Sequence, residues 1–162
     1  MELLEIYNQN GEPTGRSIER GNKNLQENEF IKLAVLWIKC GNKFLIQKAS
    51  PEKDGDYAVT GGHVPFGENS LNQACIELDE ELGLIVSPAE LKKLGTCVLG
   101  HGMFDVYLYE NNNLENYNFT LQVEEVESVE FLTTQQIENL IEKGVFRKSS
   151  TAQYNQFIKN RF

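Results

Sequence analysis

The sequence is poor in the residues that mark cross-linked, zinc-binding and membrane-spanning proteins. Its three cysteines (Cys40, Cys75 and Cys97) are odd in number and widely spaced, which predicts neither a disulfide framework nor a zinc motif. No apolar run approaches the ~20 residues of a membrane span. The N-terminal segment MELLEIYNQN lacks the basic start and apolar core of a signal peptide. We therefore expect one domain over residues 1–162, a cytoplasmic location and no membrane partner.

Basic residues are also scarce, since the net charge is −9 and no Lys or Arg lies between Lys53 and Lys92. A nucleic-acid duplex is an unsuitable partner, because binding its phosphates requires a basic surface. A small phosphorylated substrate is still allowed, because metal ions can lie between two sets of negative charge.

Four glutamates stand out within this acidic stretch: Glu68, Glu77, Glu80 and Glu81. A helix turns about 100° per residue, so positions 77, 80 and 81 fall on one side of a helix. A separate apolar stripe follows helical spacing at Leu71, Ala74, Cys75, Leu78 and Leu82. Clustered carboxylates repel one another but suit a hard divalent cation such as Mg²⁺. The pattern predicts a metal site.

The residues that flank the stripe predict the bounds of this helix. Ser70 and Gln73 match a capping box, so the helix should begin near Ser70. Gly83 stands where a helix C-terminal glycine belongs. Gly61 and Gly62 would let the backbone turn sharply and bring carbonyls close to a ligand.

The segment from Gly62 to Leu84 resembles the Nudix box, G-x5-E-x7-R-E-U-x-E-E-x-G-U, in which U is a bulky aliphatic residue. Over these 23 residues, every fixed position except one matches. The exception is Ile76, which stands where the family has arginine. We refer below to residues 62–84 as the box.

The resemblance implies an α/β fold, a Nudix-type α/β/α sandwich with a mixed central sheet. It also implies a divalent-metal-dependent hydrolase that uses Mg²⁺ or Mn²⁺. In that mechanism, metal-bound water attacks phosphorus in the diphosphate linkage of a small substrate. Carried over position by position, the implied metal ligands are the Gly61 carbonyl, Glu77, Glu80 and Glu81.

Two residues are candidates for the general base. Glu77 is implied by its place in the box, whereas some relatives use a glutamate from a downstream loop. Here that loop residue is Glu124 or Glu125, and the position of Phe131 favours Glu125, which we include among the predicted metal ligands. Glu68 is expected to fix the loop rather than bind metal.

The consequence of Ile76 is left open by the sequence. In the family, the arginine at this position orients the neighbouring glutamates. Another cation could replace it, with Arg16, Arg20 and Lys48 as candidates. Otherwise the enzyme is slow, or the fold has become a diphosphate-binding module.

The N-terminal third is similar to isopentenyl-diphosphate isomerase and its hydrolase-like relatives. These isomerases use a cysteine just before the box, and Gly61 stands in its place. His63 matches a histidine of the isomerase metal site, but the only other histidine is His101. The missing cysteine and histidines argue against an isomerase.

The rest of the chain reads as alternating strands and turns followed by two helices. Apolar segments bounded by turn residues predict strands at 33–38, 43–48, 56–60, 94–99, 103–109 and 125–132. Residues 3–7 form a short apolar patch, with turns predicted at 8–11 and 12–15. Helices are predicted at 134–143 and 151–159, which favours a mixed sheet between helical layers.

The substrate cannot be read from the box. A nucleoside diphosphate derivative is the favoured prediction, with nucleotide sugars, dinucleoside polyphosphates and isoprenoid diphosphates as alternatives. Six aromatic residues could stack a base: Tyr57, Phe66, Phe104, Tyr107, Tyr109 and Tyr117. Core packing would explain most of them equally well. Oligomeric state is open, although the resemblance makes a homodimer one option.

Overall fold

The computed structural model describes all of residues 1–162. Nine strands form, namely β1 (Leu3–Tyr7), β2 (Pro13–Glu19), β3 (Ile31–Cys40), β4 (Lys43–Ala49), β5 (Tyr57–Ala58), β6 (Thr60–His63), β7 (Lys92–Leu99), β8 (Gly102–Glu110) and β9 (Val126–Thr133). The helices are α1 (Ser70–Leu82), α2 (Thr134–Glu142) and α3 (Lys148–Gln153), and α3 runs directly into a π-helical turn, Tyr154–Ile158. Single 3₁₀ turns span Pro51–Lys53 and Pro88–Glu90.

Strand β3 is the centre of a seven-stranded mixed sheet. On one side it pairs in parallel with β8 over its whole length. On the other side it pairs antiparallel with β6 along its first half and with β4 at its end. Strand β7 extends the sheet beyond β8, and β9 and β5 pair with β4. Strands β1 and β2 form a separate antiparallel pair.

The side chains of β3 alternate between two hydrophobic cores, which explains its unbroken apolar sequence. Ala34, Leu36 and Ile38 pack with Leu78 and Leu82 of α1. Val35 and Trp37 point the other way, into a core shared with α2 and the C-terminal segment, which contribute Ile137, Tyr154 and Ile158. Helices thus cover both faces of a mixed sheet. The predicted α/β/α sandwich is confirmed.

Helix α1 has the predicted bounds, but its N-terminal cap is different. Asn69 is the N-cap residue, and its side chain accepts a hydrogen bond from the Asn72 N–H at 2.9 Å. The predicted Ser70–Gln73 capping box is therefore wrong, because Asn caps as well as Ser and lies one residue earlier. Gly83 ends the helix at φ 67°, as predicted.

Other sequence predictions also differ from the structure. Residues 12–15 were expected to form a turn, but Pro13–Glu19 is a strand held by backbone pairing to β1. Its side chains are almost all exposed, so no alternation of apolar residues reveals it. The predicted strand at 56–60 divides into β5 and β6, and the helix predicted at 151–159 begins earlier, at Lys148. No helix is both long and apolar enough to cross a membrane.

We predict that Leu78→Ala destabilises the protein by about 2–5 kcal/mol, because Leu78 is fully buried between α1 and the sheet and its truncation leaves a cavity. Ile85→Ala is the control, since Ile85 is 76% exposed, and it should change the free energy of unfolding by less than about 0.5 kcal/mol. Urea unfolding monitored by circular dichroism measures both values. Equal effects would contradict the assigned burial of the α1 stripe.

Candidate active site

The predicted ligands line one cleft between α1, β6 and the loop before β9, which we call the acidic cleft. Its volume is about 380 Å³. The cleft brings together Gly61, Glu77, Glu80, Glu81 and Glu125, all five residues predicted as metal ligands. Residues 61 and 125 are more than sixty positions apart, so the fold, and not local sequence, assembles the set.

Glu77 and Glu81 lie side by side on successive turns of α1, and each is held by a glutamine. The Gln73 side-chain amide donates to Glu77 Oε1 at 2.8 Å. Gln47 of β4 donates to Glu81 Oε1 at 3.1 Å and accepts at 3.0 Å from the Thr60 hydroxyl. Both carboxylates are thus oriented by neutral amides.

Burial sets the protonation of this pair. Glu81 is only 5% exposed. Desolvation, followed by a hydrogen bond and charge repulsion from Glu77, raises the pKa of Glu81 to about 9. In the metal-free chain Glu81 therefore keeps its proton at neutral pH. A site that retains a proton for this reason would exchange it for a cation.

Two glycines allow the strand to approach its neighbours closely. A Cβ at position 62 would collide with the Glu77 carboxylate, and one at position 61 would lie 2.6 Å from the Ala34 carbonyl oxygen. Gly61 and Gly62 belong to the extended strand β6, so the sharp turn expected there is wrong. They are required for close packing of β6 against α1 and β3.

The remaining predicted ligands are less constrained. Glu80 is exposed, and the nearby charges add to partial burial in raising its pKa. Glu125 is 41% exposed and lies 3.4 Å from Lys53 Nζ. Residues 1–162 contain no ready-made cluster of three or more His, Cys, Asp or Glu side chains arranged to hold a metal. Only Glu77 and Glu81 are preassembled.

The donor set nevertheless fits a hard divalent cation. Carboxylate and carbonyl oxygens are the ligands that Mg²⁺ prefers, and the buried, protonated Glu81 beside Glu77 marks a place where positive charge is favourable. Glu80 and Glu125, the other two predicted carboxylate ligands, lie on exposed or half-exposed positions of the same cleft. The ligand roles remain predictions.

Of the three cations proposed to replace the box arginine, only Arg20 lines the acidic cleft. Its guanidinium donates to Glu2 at 3.0 Å, so the ion pair spans the mouth of the cleft. Arg16 instead pairs with Glu29, and Lys48 lies 3.3 Å from Glu127. Ile76 is 38% exposed and lines the same cleft.

A second cavity of about 310 Å³ adjoins the acidic cleft and shares Arg20, Gly61, Gly62, His63 and Glu125 with it. We call it the basic cavity, because Lys53 and Arg147 line it in addition to Arg20. Among the six aromatic candidates for base stacking, Phe104 is the one that lines this cavity. Tyr107 and Tyr109 are buried in the core next to α1.

His63 lies where the two spaces meet. Burial lowers the pKa of His63, and the charge of Arg20 acts in the same direction, so the imidazole is neutral at pH 7. His101 lies on the β7–β8 turn and contacts the Glu29 carbonyl instead. No cysteine lines either space: Cys40 and Cys97 are buried in the cores, and Cys75 is half-buried on α1.

Sequence reasoning missed Gln47, Gln73 and Arg147. Gln47 is a polar residue within the otherwise apolar strand β4, and this interruption is the sequence feature that could have indicated its role. Gln73 precedes Glu77 by one helical turn, the spacing at which side chains meet. No local sequence feature indicates Arg147, because it lies far along the chain from the box.

We predict that the metal-free protein loses stability as pH rises from about 5 to about 9, because Glu81 binds its proton more tightly when folded. A raised folded-state pKa gives a contribution that is full below the unfolded value of 4.5 and is lost as pH rises through about 9. Glu81→Gln should flatten this dependence. Urea unfolding in EDTA across the range measures it, with Glu130→Gln as an exposed control. Parallel curves for wild type and Glu81→Gln would contradict the assignment.

Comparison with known proteins gives relatives in both sequence and structure, although no family model matches the chain. An uncharacterised Nudix hydrolase of Listeria innocua is 30% identical over 151 residues, which cover 90% of this chain and 88% of that protein. A counterpart in Listeria monocytogenes is 29% identical with the same coverage. Nudix hydrolase 3 of Arabidopsis thaliana is 30% identical over 88% of this chain, which spans only 20% of the plant protein.

Solved structures agree on the fold. The crystal structure of DR0079 from Deinococcus radiodurans has a TM-score of 0.81 at 16% identity, covering 97% of this chain and 99% of that one. A bifunctional NMN adenylyltransferase/ADP ribose pyrophosphatase from Francisella tularensis, complexed with AMP and a manganese ion, has a TM-score of 0.59 at 12% identity, covering 78% and 40%. With the box, the sandwich and a 30% identical relative matched over most of its length, the chain belongs to the Nudix hydrolases, pyrophosphohydrolases that act on acid anhydrides.

Proposed function

We propose that the protein is a divalent-metal-dependent hydrolase that cleaves the diphosphate linkage of a small nucleoside-diphosphate-type compound. The observation that carries the proposal is the junction of the acidic cleft with a cavity to which three basic side chains and two acidic ones contribute. The carboxylates of the acidic cleft adjoin the Lys53 and Arg147 side of the basic cavity, with Arg20 lining both. We further propose that residues 1–162 act as one Nudix domain.

Glu77, Glu80, Glu81 and the Gly61 carbonyl would hold the cation, with Glu125 facing them. A bound Mg²⁺ or Mn²⁺ neutralises phosphate charge and lowers the pKa of bound water. Gln73 and Gln47 orient the Glu77 and Glu81 carboxylates. These two amides would supply the orientation of the carboxylates for which the box has no arginine.

Hydrolysis requires a base and a place for the leaving charge. Glu77 removes the proton from the attacking water, with Glu125 as the alternative. The new phosphorus–oxygen bond forms as the bridging phosphorus–oxygen bond breaks, and the negative charge leaves on a phosphate oxygen. Arg20, Lys53 and Arg147 line the side of the junction that can stabilise this charge.

A nucleoside-type substrate is consistent with the AMP and manganese named for the Francisella structure, which shares this fold. Inside the basic cavity, Phe104 offers one aromatic wall, and polar side chains supply much of the remaining lining. Polar groups in small-molecule sites fix the orientation of the ligand.

We predict release of phosphorylated cleavage products, detected by phosphorus NMR, from at least one compound of a panel of nucleoside triphosphates, nucleotide sugars, dinucleotides and isoprenoid diphosphates. Release should require Mg²⁺ or Mn²⁺ and should stop in EDTA. Glu81→Gln should lower kcat/KM by about 100-fold or more, because it removes a ligand from the preassembled pair.

Glu142→Gln is the matched control, since Glu142 is an exposed glutamate at the end of α2. It should retain wild-type turnover. Calorimetric titration with Mg²⁺ checks the ligand role separately from turnover. A folded Glu81→Gln variant with unchanged turnover would overturn the metal assignment, and silence of the wild type would indicate a diphosphate-binding module.

A second prediction compares the contributions of the two N-terminal arginines, Arg16 and Arg20, to catalysis. Arg20→Gln should lower kcat/KM by about 10-fold or more, because its charge faces the diphosphate. Arg16→Gln should leave kcat/KM within about two-fold, because Arg16 pairs with Glu29 outside both spaces. Steady-state kinetics on the best panel substrate measure both, and equal effects would contradict a role for Arg20 in the cleft.

A further inference from the structure

The basic cavity contains a buried amide whose direction is fixed by the core. Gln153, at the end of α3, is fully buried, and its Oε1 accepts a hydrogen bond from the Trp37 indole N–H at 3.2 Å. An indole can only donate, so the amide oxygen must face Trp37. Trp37 is itself immobilised, since it is fully buried and packs edge-on against Phe44.

This constraint leaves the Gln153 amide nitrogen without a partner. Nε2 is the one buried side-chain polar atom in the chain that makes no hydrogen bond. Gln153 is one of the residues that line the basic cavity, and its amide nitrogen carries two unpaired N–H donors. Buried polar groups in native proteins are almost always satisfied, and an unsatisfied donor next to a cavity points to a ligand that satisfies it.

The neighbouring side chains offer donors as well. Ser150 lies one helical turn before Gln153, and its Oγ accepts from the Val59 N–H at 3.3 Å, which leaves its own O–H proton free to donate. Asp56 binds Nε and Nη2 of Arg147 at 2.9 and 2.7 Å, so Nη1 keeps both of its hydrogens for a ligand. The C-terminal wall of the cavity is therefore rich in donors.

We propose that this wall selects the group attached to the diphosphate, an inference that rests on the proposed function. Gln153 donates a hydrogen bond to an acceptor atom on that group, which is a nucleoside or a sugar and not a hydrocarbon chain. Ser150 and Arg147 provide further donors. Gln153 is thus a specificity-determining residue of the hydrolase.

The shape and lining of the cavity agree with such a group. Four of its fifteen lining residues are hydrophobic, namely Leu33, Val35, Val59 and Phe104. An isoprenoid chain would cover these residues but would leave the buried amide unpaired, and a site built around a hydrogen bond rejects analogues that lack it. At about 310 Å³, the cavity lies at the lower end of ligand-site volumes, which favours a compact group.

Calorimetry with methylene-bridged analogues that resist hydrolysis tests the proposal. The analogues are those of ADP, ribose 5-diphosphate and isopentenyl diphosphate, together with methylenediphosphonate, which lacks any attached group. In Mg²⁺, we expect the ADP or the ribose analogue to bind at least about 10-fold more tightly than the isopentenyl analogue. Comparing the affinities of the ADP and ribose analogues distinguishes a nucleoside site from a sugar site.

Gln153→Leu should lower the affinity for the preferred analogue by about 10- to 100-fold. The affinity for methylenediphosphonate should stay within about two-fold of the wild-type value. Because this variant also breaks the bond to Trp37, Gln153→Glu is the second variant: it keeps an oxygen for the indole and removes the amide donors. Gln156→Leu, at an exposed glutamine on the same segment, is the control and should bind as wild type does. Thermal unfolding midpoints verify that each variant is folded.

The proposal is overturned if neither acceptor-bearing analogue is preferred over the isopentenyl analogue, or if the Gln153 variants weaken all four ligands equally. These results are distinct from failure of the proposed function. Selective binding without cleavage of the natural diphosphates would contradict hydrolysis alone, whereas hydrolysis without selective binding would contradict only the role of Gln153.

Discussion

The contact between Glu77 and Glu81 places two acids side by side where burial opposes charge. This contact requires Gly62, because any side chain at that position would occupy the place of the Glu77 carboxylate. It also requires Gln47 and Gln73, since a carboxyl pair without fixed donors would turn away from the cleft towards water. The glycine in β6 and the polar residue within β4 thus both serve to keep this pair in place.

The box could be located from the sequence because its signals are local. The apolar stripe through Leu78, the C-terminal Gly83 and the spacing of the glutamates all lie within one helix and its flanks. The unbroken apolar run of β3 likewise predicted a central strand, because both of its faces are buried. Where burial is absent, as in β2, backbone pairing alone makes the strand, and side-chain patterns cannot reveal it.

The rest of the site depends on contacts between distant segments. Arg20 comes from the end of an exposed strand, and the competing candidates Arg16 and Lys48 could be set aside only once their own carboxylate partners were visible. Gln153 lies over a hundred residues from Trp37, and nothing in either local sequence indicates that one fixes the other. The residue types predicted which segments carry charged side chains. Which of these side chains can face a ligand depends on the ion pairs that form in the folded structure.

The two halves of the junction are built on opposite layers of the sandwich. The carboxylates stand on α1, which packs on one face of β3, whereas Arg147, Ser150 and Gln153 belong to the segment that packs on the other face. That segment is tied to the sheet by core packing of Tyr154 and Ile158, and by side-chain bonds that include Gln153 with Trp37 and Ser150 with Val59. Because the two groups stand on opposite layers, a substitution of Ser150 or Gln153 changes the wall of the basic cavity while leaving the carboxylates of α1 as they are.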